Sequence, residues 1–146
     1  MIRFLIAGTE MSEIHLVGSC LCGSVAYEIH GESMHFNHCH CRRCRKATGT
    51  GHATNIIMKP SIVNWTSGEH LLSHYKVPDA KRFATTFCSS CGSLLPRVAP
   101  DNSIAVIPAG TLDKDPGIEP ERRIFAGSSA AWSCAMDDLP AFEKYP

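Results

Sequence analysis

The stretch "GSCLCGSVAYEIHG", residues 18–31, carries two signals in succession. Cys20 and Cys22 stand one residue apart with Gly23 behind them, the composition of a metal-binding knuckle. Glycine tolerates positive φ, which lets the chain curl so that backbone N–H groups point at thiolate sulfur. Beyond the knuckle, Val25, Tyr27 and Ile29 alternate with small or polar residues, the pattern of a half-buried strand that stops at Gly31. Together the two signals point to a β domain with metal-binding turns.

A second knuckle, "CSSCGS" at residues 88–93, repeats the arrangement with Cys88, Cys91 and Gly92. Structural zinc sites usually draw two ligands from each of two knuckles to build a tetrahedron of soft donors. Pairing Cys20 and Cys22 with Cys88 and Cys91 gives a closed four-sulfur site that ties residue 20 to residue 91. A closed site has no free position, so its role is structural.

Between the knuckles lies "FNHCHCRRCRKATG", residues 36–49, with Cys39, Cys41 and Cys44. Three protein ligands and one exchangeable position make the arrangement of a catalytic zinc. Two other readings stand beside it. His38 or His40 closes the site as a fourth ligand, or the middle cluster pairs with one outside cysteine and the remaining thiols are buried and reduced. In the open reading, three thiolates leave the zinc site negatively charged, which suits a soft thiol in the fourth position better than water activation. Coordination removes the proton of such a thiol, and the thiolate can add to a carbonyl carbon or be expelled from a carbon–sulfur adduct. Arg42, Arg43, Arg45 and Lys46 crowd the same segment without an acid among them. They either meet carboxylates such as those of glutathione, or offset thiolate charge and face water.

The chain has eight cysteines, and without a secretory signal the disulfide reading gives way to metal binding. The opening "MIRFLIAGTE" has an apolar run too short for a signal-peptide core, so the protein reads as cytoplasmic, with Met11 a second candidate start. Cys134 reads as a small buried hydrophobe. With 146 residues, 44 % hydrophobic and 19 % charged, the chain fits one globular domain over residues 15–146 behind an N-terminal extension over 1–14. The formal charge is zero and no long apolar stretch occurs, so neither a nucleic acid nor a membrane is the expected partner.

Short strand-like segments follow one another after residue 18: "GHATNIIMKP", "SIVNWTSGEH", "LLSHYKVPD", "RFATTFCSSCG" and "NSIAVIPAGTL". They are divided by Pro60, by Ser67 with Gly68, by Pro78 with Asp79 and by the second knuckle. Even spacing with turn residues between argues for an all-β domain. Only "RCRKATG" reads as a helical turn, and "LDKDPGIEPERR" reads as a long surface loop. Trp65 and Trp132 read as core anchors rather than ligand platforms. His15, His30, His52, His70 and His74 receive no role.

The ordered set "GSCLCGSVAYE", "HCHCRRCRKATG", "FCSSCGSLL", "AGTLD" and "IFAGSSAAW" resembles the glutathione-dependent formaldehyde-activating enzyme family, which also includes relatives of centromere protein V. The resemblance covers about residues 15 to 145 and implies a β-tent fold of small coiled antiparallel sheets around a structural zinc. It implies that Cys20, Cys22, Cys88 and Cys91 hold that zinc and that Cys39, Cys41 and Cys44 hold a second, catalytic one. The implied activity is formation or cleavage of S-hydroxymethylglutathione, a carbon–sulfur lyase reaction, with glutathione or a related thiol adduct as the partner. The rival expectation is a non-catalytic module with one structural zinc and a protein partner. One departure is visible: many family members have a histidine where this chain has Arg123.

Overall fold

A long antiparallel ribbon organises the computed structural model, which describes residues 12–133 and 138–146. Residues 1–11 of the expected extension, and Cys134, lie outside the described residues. The ribbon pairs β2 (Ala26–Cys39) with β3 (Ala53–Ser67). β1 (Glu13–Ser19) flanks β2, and α1 (Arg42–Thr48) fills the hairpin end between β2 and β3. β4 (Leu72–Lys76), β5 (Ala84–Cys88) and β6 (Leu94–Leu95) form a separate three-stranded sheet. β7 (Arg97–Val98) and β8 (Ala105–Pro108) extend the large sheet in the order β1-β2-β3-β8-β7, and β9 (Arg122–Ile124) pairs with β2 in parallel. The domain is all-β, with antiparallel sheets and one short α-helix.

The strand expected to stop at Gly31 runs on to Cys39, and the two segments expected on either side of Pro60 are one strand. Gly31 sits opposite Pro60, and a Cβ on Gly31 would come within 2.2 Å of the Lys59 carbonyl oxygen. Glycine therefore lets the two backbones approach where any side chain would force them apart. Pro60 is tolerated because β8 flanks β3 only over Asn55–Met58, so its missing N–H leaves no partner unsatisfied on that side.

Three unpaired residues reset the pleat. Met34 on β2 and Ser61 and Thr66 on β3 have no partner across the ribbon. Each is a bulge, and an extra residue moves the following side chains to the opposite face. On β2 the core therefore takes Tyr27 and Ile29 before Met34 and Phe36 after it. On β3 it takes Ile56 and Met58 before Ser61, with Val63 and Trp65 packed against it afterwards. Leu16, Val25, Leu95, Ala105 and Ile107 complete this core. Each large apolar side chain buried there stabilises the fold by about 1.5–3 kcal/mol.

Tyr27 closes one end of the core, its hydroxyl 2.6 Å from Thr111 Oγ1, and burial pushes its pKa up to about 12. Trp65 packs edge-on against the Tyr27 ring, as a core anchor should. Trp132 does not: it is 70 % exposed. The described chain after β9 forms no further strand, so this tryptophan has no sheet face to pack into and lies near Gly51 instead.

Candidate metal centres and the cavity between the sheets

Both knuckles close on a glycine N–H that returns to the carbonyl of the first cysteine, across three residues in the first and four in the second. Gly23 donates to the Cys20 carbonyl at 2.9 Å and Gly92 to the Cys88 carbonyl at 2.8 Å, with φ of 76° at both glycines. Leu21 N–H donates to Ser93 Oγ at 2.9 Å and joins one turn to the other. Cys20, Cys22, Cys88 and Cys91 bring their sulfurs within 4.8 Å of one another. Cys20 and Cys22 are 3.5 Å apart at Sγ, and Cys22 and Cys88 are 3.9 Å apart. An ion with Zn–S bonds of about 2.3 Å in a tetrahedron requires an S–S edge of ~3.8 Å. The donor set fits such an ion and is far too open for disulfides, and all seven described cysteines are free.

Local donors favour thiolate at the two less buried sulfurs, Cys22 and Cys91. The Ser93 hydroxyl and backbone N–H lower Cys91 to about 5, and the Ser24 hydroxyl and N–H lower Cys22. Burial raises Cys20, against the N–H of Val25, which lies 3.3 Å from its sulfur.

The middle cluster is built within six residues. Cys39 is the last residue of β2, Cys41 is the N-cap of α1, and Cys44 lies in the first turn, its N–H donating to Cys41 Sγ at 3.3 Å. The three sulfurs lie within 4.8 Å of one another, and among the described residues no fourth His, Cys, Asp or Glu joins the group. The set fits a tetrahedral ion with one position left over. Burial raises Cys39 and, more strongly, Cys44. Burial is the largest influence on Cys41 and opposes its thiolate, but the hydrogen bonds from the Cys44 and Arg43 N–H groups and from the Cys44 and Cys39 thiols together outweigh it, and the pKa falls below the ordinary thiol value.

Neither neighbouring histidine closes the cluster. His38 Nδ1 is 2.8 Å from the Thr54 hydroxyl, which also lies 3.2 Å from His52 Nδ1. His40 Nε2 accepts from Arg123 Nε at 3.0 Å, so its Nδ1 carries the hydrogen, buried without a partner. Burial lowers both His38 and His40, with further lowering from the neighbouring cation and imidazoles, which keeps them neutral. Arg123 thus serves His40 at the position where the resemblance led one to look for histidine. The alternative pairing of the middle cluster with an outside cysteine does not occur among the described residues, since both knuckles are spent on each other.

A cavity of about 500 Å³ opens beside Cys39 and Cys44. Its floor is the face of the large sheet opposite the core: Asn37, Asn55, Ile57 and Val106 share it in register. The small sheet and the residue leading into it supply a second wall, including Leu94 and Phe83, and α1 a third through Cys44, Ala47 and Thr48. These helix positions recur at one-turn spacing, which turns Arg42, Arg43 and Lys46 outward to solvent. Arg45 donates to the His40 carbonyl at 3.3 Å. None of these four basic residues lines the cavity; Arg82, Arg97 and His52 do, and sequence reasoning gave none of them a role.

A profile for glutathione-dependent formaldehyde-activating enzymes matches residues 15–128. The chain belongs to that family. Among curated proteins no significant match is found. Among solved structures the chain is similar to a Rhodobacter sphaeroides protein whose crystal structure was determined as a structural-genomics target, at 20 % identity and a TM-score of 0.52. That alignment covers 74 % of this chain and 98 % of the other, and it shows a shared fold. Both sulfur clusters of this formaldehyde-activating family member fall inside the matched segment, as does the whole cavity lining. A third cluster, His15, Glu28 and His30, lies on the outer face of β1 and β2. Its imidazoles stack 4.0 Å apart with planes 7° from parallel, which sets their nitrogens side by side instead of aiming them at one ion.

Proposed function

We propose that this protein is a zinc-dependent carbon–sulfur lyase that forms or cleaves S-hydroxymethylglutathione or a closely related thiol adduct. In this reading Cys20, Cys22, Cys88 and Cys91 hold a structural zinc, around which the small sheets are arranged like a tent, and Cys39, Cys41 and Cys44 hold a second, catalytic one. The observation that carries the reading is the three-thiol cluster without a fourth ligand, opening onto a cavity of substrate size. Membership in the family supplies the thiol and the aldehyde. A zinc ion in the middle cluster would supply a soft, electrophilic position matched to the sulfur of a substrate thiol.

The chain's own residues account for the remaining requirements. In the cleavage direction the carbon–sulfur bond breaks with its electron pair going to sulfur, the hydroxyl gives up its proton, and formaldehyde leaves. His52 is the imidazole on the cavity wall, held by the Thr54 hydroxyl, and we assign it the exchange of that proton. Ile57, Phe83, Leu94 and Val106 make the walls around it apolar and limit access of water to the adduct. The test is turnover of S-hydroxymethylglutathione by the zinc-loaded protein and by Cys41→Ser. The proposal expects turnover lost with circular dichroism unchanged; full activity in the variant overturns it.

A further inference from the structure

The cavity carries a charge imbalance that breaking a carbon–sulfur bond does not require. Its lining contains two guanidinium groups, Arg82 and Arg97, and no carboxylate. Arg122 with Glu121 is the arginine–carboxylate pair found among the described residues, so Arg82 and Arg97 have no acidic partner there. Neither donates a side-chain hydrogen bond to another described residue, in contrast to Arg45, Arg122 and Arg123. Two arginines facing one cavity without an anion between them repel each other and lose hydration as a ligand enters. Such an arrangement favours a ligand that brings the missing negative charge.

Their positions also say where on the ligand that charge lies. Arg97 pairs with Val106, Val106 pairs with Ile57, and two steps of two residues along β3 lead from Ile57 to Ala53, the partner of Cys39. Cys39 and Arg97 therefore occupy opposite corners of one sheet face. In a flat sheet the diagonal is about 20 Å between Cα atoms. The two side chains projecting across it close that distance toward the scale of an extended tripeptide, ~10 Å. Arg82 approaches from the other wall, just before β5, and is exposed at the rim. Between the arginines and the sulfurs the lining is uncharged, with Ile57, Phe83 and Val106 beside Asn37 and Asn55.

We infer that Arg82 and Arg97 are carboxylate anchors that select thiols carrying negative charge at the end remote from sulfur. This rests on the reading that the substrate sulfur docks at Cys39, Cys41 and Cys44, and it gives the cavity arginines the recognition role that residue type alone suggested for α1. Glutathione fits the description, and so does any thiol acid of comparable reach.

The test is calorimetric titration of the zinc-loaded full chain with glutathione, 3-mercaptopropionate and 2-mercaptoethanol, using the wild type, Arg97→Gln, Arg97→Lys, Arg82→Gln and Arg43→Gln. Arg97→Gln and Arg82→Gln are expected to weaken glutathione about tenfold or more each, and to leave the uncharged 2-mercaptoethanol unchanged. Arg97→Lys should recover part of the loss, since it restores charge without the planar fork. Unaltered glutathione affinity in both glutamine variants overturns the anchors while leaving the proposed reaction standing if the wild type turns over. A larger loss in Arg43→Gln than in Arg97→Gln moves the contact to α1 and also overturns them. Should the wild type fail to act on the glutathione adduct, the proposed function falls. The anchors then stand only if 3-mercaptopropionate binds more tightly than 2-mercaptoethanol in an Arg97-dependent manner, and any other result removes them.

Discussion

The outer cluster gathers its sulfurs from turns 66 residues apart, whereas the middle cluster takes all of its own from Cys39 to Cys44. An ion in the outer cluster would fasten the large sheet to the small one and remove the conformational freedom of a long loop. An ion in the middle cluster would fasten a strand end to the helix that already follows it, which adds little restraint. The outer sulfurs are spent on one another, and the middle set is one short and faces a cavity. The comparison teaches that ligand provenance and ligand number go together: the outer set is long-range and complete, as holding a fold requires, and the middle set is local and incomplete, as an exchangeable position requires.

The sharpest way to break this contrast is to remove metal. Structural zinc is worth roughly 10–16 kcal/mol in apparent binding energy, comparable to the stability of a whole domain. A strong chelator, or Cys88→Ser at a fully buried position, is expected to unfold the protein by circular dichroism. Retention of the native spectrum after complete metal removal would erase the distinction.

Next in size, Cys41→Ser should cost at least about 100-fold in turnover, since even a residue behind a metal ligand commonly costs 10–100-fold, with the thermal midpoint held to within a few degrees. His52→Gln is expected to lower kcat by about 100-fold, the lower range for a general acid or base, while zinc content, measured by metal analysis, stays constant. A smaller effect is expected at Tyr27→Phe. It deletes one buried hydrogen bond but leaves Thr111 bonded to the Pro108 carbonyl at 2.8 Å, for a loss of about 1 kcal/mol in denaturant unfolding.

The smallest effect is a pH dependence near the middle cluster. Glu121 accepts from the Phe36 N–H and lies beside His35 and Arg122, and these hold its carboxyl below its ordinary pKa of 4.5. A carboxylate favoured in the folded state stabilises it above the ordinary value, and that contribution is lost as pH falls through the lower folded value. The stability difference between wild type and Glu121→Gln should therefore be small and constant above about pH 4.5 and vanish in stronger acid. A difference that grew on acidification would contradict the assignment.

Much of this was legible in the sequence where chemistry is local. The spacing and the trailing glycines of the two knuckles sufficed to pair Cys20 and Cys22 with Cys88 and Cys91, and alternation sufficed for the β class. The helical turn was visible, but that it turns Arg42, Arg43 and Lys46 outward depends on Cys44, Ala47 and Thr48 facing the cavity. Bulges at Met34 and Ser61 were not legible, because an unpaired residue looks like any other in an alternation pattern, and Pro60 appeared to be a break. Arg82 and Arg97 sit in unremarkable surroundings in the chain and become neighbours of one cavity only when two sheets face each other. The polar Asn37 and Asn55, opposite each other in register, were the available sign that β2 and β3 have a second interior face.

The pairing of β2 with β3 gives the chemistry of this chain a phase as well as a composition. Deleting Met34 would make Ser33 and His35 consecutive paired residues and leave Cys39 opposite Ala53 on its present face of the sheet. Loss of that one residue is accordingly expected to keep both sulfur clusters and the cavity floor in place, because the pairing and not the residue count fixes which way each side chain faces.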